Sequence, residues 1–342
     1  MTSRKYQNGL SLVELMIAIA LGLFLMAGLV QMFIGSKVTF TAQQGLSRVQ
    51  ENGRLAIEFI SSDVRMAGFM GFNARATTTS IGSPSITNMI PSPNVTNNYT
   101  RGIEVVSPAA PINAVAGTQV LALRGVIANS TASLVSPLTP GSITVPLVQQ
   151  VNNGCGGGVA RLNGLCVNDV AVLSDAERSI IFTPTAINIA GGNIIVNYAG
   201  GWGNKLADLH NFYDRGAHLS AGTNTIYFIA LNATTGRRGL FQQLNNQPAQ
   251  EILEGVENMA FSFSRASAPT TFVSALNQIG NQWASNDPPV ALRVELLVAS
   301  VEDNVTDAPQ TYRFNGAPPV VAADRRLYQT FSTTIALRNR LP

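Results

Sequence analysis

The chain has 342 residues, 12% of them charged and 46% hydrophobic, with a formal net charge of +3. That length accommodates one large domain or two modest ones. So small a positive excess gives little attraction for nucleic acid or an anionic membrane, and without Arg4 and Lys5, which precede a long apolar run, it falls to +1.

The apolar run comes first in chain order. Sixteen residues from Leu15 to Val30 carry no charge, and Met32, Phe33 and Ile34 extend the run. Counted from Leu10, it reaches the roughly 20 residues that a helix needs to cross a bilayer. Arg4, Lys5 and the amino terminus lie on its N-terminal side. The positive-inside rule therefore places the first residues in the cytoplasm and everything after about Gly35 across the membrane. No small-x-small cleavage site follows the run, so an ordinary cleaved secretory signal fits poorly. An uncleaved anchor fits better but leaves Glu14 unexplained, because a charge within a membrane helix costs roughly 2.5–3.5 kcal/mol.

Beyond the membrane, Leu46, Val49, Ala56, Ile60, Val64 and Ala67 recur at helical spacing. The spacing predicts one helix from Leu10 to about Gly68, roughly 90 Å long. Its first half is apolar all round and its second half is amphipathic. Gly22, Gly28, Gly35, Gly45 and Gly53 weaken it at intervals, and Gly68 and Gly71 are its expected terminators.

Between Asn73 and Thr100, Thr, Ser, Asn, Pro and Ala predict an irregular surface excursion. Short strand-favouring runs follow: "GIEVVS", "TQVLALRGVI", "SITVPLV", "DVAVLS", "SIIFTPTAI", "NIIVNYA" and "NTIYFIAL". Turn residues separate them and no long amphipathic helix intervenes, which predicts antiparallel sheet. "ILEGVENMAFSF" and "ALRVELLVAS" alternate apolar with polar as half-buried strands do. The fold class is α+β. One head domain is the preferred division, and two β subdomains split near Gly154 or Gly201 the alternative.

Cys155 and Cys166, the chain's two cysteines, lie in "NNGCGGGVARLNGLC". In an exported chain this predicts a local disulfide, with two free thiols as the alternative. His210 and His218, near Asp208 and Asp214, are eight residues apart, a poor spacing for a metal site. No G-x-S-x-G, Walker loop or H-E-x-x-H occurs, so neither enzyme, cofactor nor metal is expected. Arg237/Arg238, Arg325/Arg326, Arg338 and Arg340 could meet DNA phosphates only if they cluster.

"GLSLVELM" (Gly9 to Met16) resembles the prepilin processing signal of type IV pilins and type II secretion pseudopilins. The resemblance implies that a prepilin peptidase cuts between Gly9 and Leu10 and that Leu10 is N-methylated. It leaves Glu14 fifth in the mature chain, to pair with the new amino cation of a neighbouring subunit during assembly. "GRLAIEFISSDVRMAGF" (Gly53 to Phe69) is similar to PilW-type minor pilins. So are "YFIALNATTGRRGLFQQL" (Tyr227 to Leu244), "EILEGVENMAFSF" (Glu251 to Phe263), "ALRVELLVAS" (Ala291 to Ser300) and "TTIALRNRLP" (Thr333 to Pro342). The chain departs from that pattern at Gly71-Phe72, where relatives often have a Cys.

The resemblance implies a leader at 1–9, a transmembrane half-helix at 10–35, an amphipathic half at 36–70 and a β-rich head at 71–342. It implies an inner-membrane minor pilin that helps start type IV pilus assembly and twitching, and that sits at or near the extracellular tip. The implied partners are other minor pilins, the major pilin, the inner-membrane assembly platform and a large tip adhesin. A minor pseudopilin of type II secretion is the alternative, and a DNA-binding competence pilin the third reading. Replacing Gly9 by Trp is expected to leave the precursor uncut. A gel showing the normal shortening by about nine residues would contradict the processing reading.

Overall fold

A computed structural model describes residues 11–71, 86–90, 94–127, 131–139, 141–146, 165–175, 178–198, 213–245, 247–283 and 285–338. One long helix, α1 (Leu12–Met66), opens the fold. Its 55 residues span about 80 Å at 1.5 Å per residue. Ser11 is its N-cap, with the side-chain hydroxyl accepting the Glu14 N–H at 3.2 Å. Its carboxyl end closes where Ala67 turns extended and Gly68 takes a φ of +76°, a conformation open to glycine at no steric cost.

The strands follow in order: β1 (Ile86–Asn88), β2 (Ile103–Val106), β3 (Val120–Val126), β4 (Ala132–Ser133), β5 (Ser142–Pro146) and β6 (Ala171–Ser174). Next come β7 (Ser179–Phe182), β8 (Pro184–Ala190), β9 (Asn193–Tyr198), β10 (His218–Leu231), β11 (Arg238–Leu244) and β12 (Gln250–Glu254). The last third holds β13 (Val256–Arg265), β14 (Ala268–Ser274), a single-turn helix α2 (Ile279–Gln282) and β15 (Pro289–Ala299). The strands end with β16 (Thr311–Tyr312), β17 (Val320–Val321) and β18 (Tyr328–Ala336).

Among the described residues, β1-β7-β6-β10-β11-β12 form one path through a nine-stranded sheet; β3 and β4 join it at β10, and β2 pairs with β3. A four-stranded sheet runs β14-β13-β15-β18, a three-stranded one β5-β9-β8, and β16 pairs β17. Pairing is antiparallel except between β1 and β7, which run parallel, against the all-antiparallel expectation. That pairing also brings order to part of the excursion expected before Thr100.

Two runs read from sequence as single strands are each divided. "SIIFTPTAI" breaks at Thr183: β7 pairs β6 in the large sheet, whereas β8 pairs β9 in the three-stranded sheet. "ILEGVENMAFSF" breaks at Gly255, whose φ is +77° and where a Cβ would stand 2.5 Å from the Ala299 carbonyl oxygen. β12 therefore stays with β11, and β13 crosses to β15. Apolar alternation survives a one-residue kink, so the sequence pattern did not reveal the change of sheet.

β10 organises the head. Its first four residues pair with β6, from Gly222 it pairs with β3, and from Thr225 with β11. Two hydrophobic clusters lie along it. The larger contains Ile60 and Val64 of α1, Ile226 of β10, Phe261 of β13, Val294 of β15 and Trp283. The smaller contains Leu173, Ile180, Val196 and Leu219. Met70, Tyr99, Val126, Val172 and Ile181 form a third between them.

The carboxyl-terminal half of α1 lies on β18 and β15, with lesser contact to β3 and β12. Gly45, Val49, Gly53, Ala56, Ile60 and Val64 form its buried stripe. Full burial of Val49, Ile60 and Val64 contributes about 1.5–3 kcal/mol each. Gly53 is small for a packing reason: a Cβ there would stand 2.3 Å from Cε2 of Phe331 on β18. At Gly45 the same atom would meet Val305 at 3.1 Å, whereas Gly22, Gly28 and Gly35 have nothing within 4 Å. Gly53→Leu is expected to destabilise the head by about 1–3 kcal/mol through overpacking. Part of that loss should disappear in a Phe331→Ala background, a non-additivity measurable by urea unfolding of the four chains.

Candidate functional site

The candidate site is α1 itself and its seat on the head. Every residue from Ser11 to Phe40 is exposed, including Leu12, Phe24 and Met32, each above 70%. This segment contains an 18-residue window apolar enough to cross a membrane, with none of it buried within the chain. Glu14 lies in its first turn, where a carboxylate is favoured by the helix dipole. Ser11 and Glu14 are the first and last residues of an S-x-x-E pattern, of which the structure shows the serine half. The sequence resemblance accounts for Ser11 only as part of a processing signal. The capping pattern was the available signal that it also starts the helix.

Gly9 and Leu10 lie outside the described residues, as do Cys155, His210 and Asp208. Cys166 is half-buried and is not a free thiol. Its backbone N–H donates to Asp169 Oδ2 at 2.9 Å. His218 is held in β10 with Nδ1 3.2 Å from Ser133 Oγ, and desolvation moves its pKa down. Among the described residues no group of three or more His, Cys, Asp or Glu side chains could hold a metal.

Polar contacts fix α1 to the head along its second half. Arg48 pairs with Glu302, and Asn52 Nδ2 donates to the Glu254 carbonyl at 3.1 Å. Near the end of the helix, Gln242 Nε2 donates to Tyr227 Oη at 2.9 Å, and that hydroxyl donates to Asp63 Oδ2 at 2.8 Å. Burial pushes the Asp63 carboxyl above its usual range, and the Tyr227 bond partly offsets the push. Tyr227 is moved up too, first by burial and then by the neighbouring carboxylate.

The exit from α1 is as crowded as its seat. A Cβ on Gly68 would stand 2.2 Å from Trp283 Cζ2, and one on Gly102 would be 2.4 Å from the same atom. The Gly68 N–H donates to the Arg124 carbonyl at 2.7 Å. The Arg124 side chain is fully buried and is bound to Glu104 Oε2 at 2.9 Å and to the Arg101 carbonyl at 2.8 Å. Removing one partner of so buried a pair costs about 3–5 kcal/mol. No sequence motif singles out Asp63, Tyr227, Trp283 or Arg124 as a site residue, because each acquires its role only from contacts distant in sequence.

The paired arginines do not form one free cluster. Arg237 meets Asp303 at 2.7 Å, and Arg326 meets Glu257 at 2.7 Å with Arg238 at 3.9 Å from the same carboxylate group. Arg325 is bonded to Asn304, and Arg340 lies outside the described residues.

Comparison with known proteins places the first segment in a class. Residues 4–30 match the prokaryotic N-terminal methylation motif, so the chain carries a prepilin-type signal followed by the exposed helix described above. Residues 226–339, its C-terminal third, match type IV pilus-assembly protein W, so the chain carries a PilW-family domain. That domain runs from β10 through β18 and includes Tyr227, Trp283 and Phe331, whereas the Gly53 to Phe69 block lies outside both matches. A solved structure, a type IV-like pilin from Thermus thermophilus, is similar over 85% of this chain and 98% of that chain, at 10% identity and a TM-score of 0.32. Comparison with curated proteins found no match.

Tyr227→Phe removes the bond that holds down the Asp63 pKa. A carboxyl whose folded pKa is raised contributes most below its unfolded value, here 3.8, and loses that contribution as pH rises through the folded value. The variant is expected to lose about 1–3 kcal/mol at neutral pH and much less at pH near 3.5. Urea unfolding of both chains at the two pH values checks this, and an equal loss at both would contradict it.

Proposed function

We propose that this chain is a minor pilin that helps initiate type IV pilus assembly and sits at or near the pilus tip, as a non-catalytic structural subunit. The observation that carries the reading is the division of α1. Its carboxyl half is seated on the head, while the segment from Leu12 to Phe40 is exposed and, from Leu15 to Ile34, apolar but for Gln31. A subunit built this way can lie first in a bilayer and then among the helices of a filament. The methylation motif and the PilW-family domain support the same reading from opposite ends of the chain.

On this reading the precursor spans the inner membrane once, with the head periplasmic, until prepilin peptidase cuts after Gly9. Cleavage creates an amino cation at Leu10, and Glu14 pairs with the equivalent cation of an adjacent subunit. An unpaired charge inside an apolar bundle would cost several kcal/mol. Its partners are the other minor pilins, the major pilin, the assembly platform and a large tip adhesin. Cys155 and Cys166 are proposed to close a short loop on the head.

A deletion strain complemented with the wild-type chain or with Glu14→Ala tests this. Deletion is expected to abolish surface pili and twitching and leave type II secretion intact. Glu14→Ala should insert in the membrane at wild-type level but fail to appear in sheared pili. Lost secretion with normal pili would favour a pseudopilin instead, and undiminished Glu14→Ala in pili would remove the pairing argument.

A further inference from the structure

A cleft of about 290 Å³ lies between the last turn of α1 and strands β3, β10 and β11. Asp63, Thr225 and Gln242 line it together with Arg124, whose guanidinium is engaged by Glu104, and Met66 and Leu244, 55% and 48% exposed, form an apolar rim. Ligand pockets start at about 300 Å³, so the cleft suits one inserted side chain rather than a large molecule.

The Asp63 carboxylate is the unusual group here. Glu104, Glu257 and Glu302, also wholly or partly buried, each face an arginine. Asp63 has no such cation among the described residues, and its polar partner there is the Tyr227 hydroxyl. The relay from Gln242 through Tyr227 fixes the carboxylate while leaving most of its acceptor capacity unused.

We propose that this cleft docks a segment of a neighbouring pilin-type subunit in which a Lys or Arg, entering to pair with Asp63, stands beside an apolar residue that covers Met66 and Leu244. Charge complementarity selects the cation and the exposed rim selects its apolar neighbour. Distance excludes a lipid amine: Asp63 is 28 residues beyond Gly35, about 40 Å along the helix from the end of the membrane segment. The inference rests on the assembly reading given above.

The test is photo-crosslinking in cells that assemble pili, using the full chain with a photoreactive residue at Met66 or, separately, at Phe40 on the exposed apolar half. The Met66 probe is expected to trap one subunit at a peptide containing Lys or Arg. Asp63→Asn keeps the Tyr227 bond and should lower that yield about tenfold, with the melting temperature of the detergent-solubilised chain unchanged or raised. Reversing the trapped cation to Glu and Asp63 to Lys should restore the crosslink.

Phe40 crosslinks without Met66 crosslinks would overturn the cleft proposal and leave the assembly reading standing. So would Met66 crosslinks that go to lipid or are insensitive to Asp63→Asn. If Phe40 too traps no subunit, the assembly reading fails and takes the cleft proposal with it. A lowered melting temperature in Asp63→Asn with an unchanged crosslink would assign Asp63 to stability alone.

Discussion

The close approach of α1 to β18 is the contact on which the rest of the structure depends. A helix that is exposed along its whole first half is held by the head only along its second. Gly53 lets the Phe331 ring lie against the helix backbone, and Val49, Ile60 and Val64 fill the flanking space. Ion pairs and hydrogen bonds at Arg48, Asn52 and Asp63 then set rotation and register. Apolar burial supplies the affinity of the helix for the head, and these directional contacts supply its orientation. Gly53, whose kind costs helical propensity elsewhere, is therefore a packing requirement at the seat.

From that seat the order of the head follows. β15 and β18 carry α1, β13 pairs with β15, and β10 packs behind them while continuing into the second cluster. β10 has 14 residues because it serves two sheets' worth of neighbours in succession: β6 and β4 at its start, β3 and β11 farther on. The tight contact of Gly222 with Val170 and Tyr99 marks the change of neighbours. Disturbance of either cluster is thus felt along one continuous strand.

Much of this was legible in the sequence because it depends on local periodicity. The 3.6-residue stripe from Val49 to Val64 and the alternation in "ALRVELLVAS" gave α1 and β15 nearly to their ends. The points where the chain changes sheet, at Thr183 and Gly255, were not legible, because the apolar pattern continues across them. The parallel pairing of β1 with β7 was hidden for a different reason: three half-buried residues, of which Ile86 alone is a hydrophobic residue packed on the core, are too few to show an alternation. Among candidate site residues, Glu14 stood out because a charge in an apolar run is conspicuous. Asp63 did not, since a carboxylate in an amphipathic helix looks ordinary until Tyr227 and the cleft are placed beside it.

The exposed half of α1 makes the molecule an amphiphile arranged end to end, a polar head with one stiff hydrocarbon-like tail. Such a tail is satisfied equally by lipid chains and by the apolar flanks of other helices, because a bilayer interior is about as apolar as leucine. Hydrophobicity therefore compels the tail to be covered but is nearly indifferent to what covers it. What distinguishes one apolar covering from another must then come from the few polar groups the tail carries, and Glu14 and Lys37 are its charged ones.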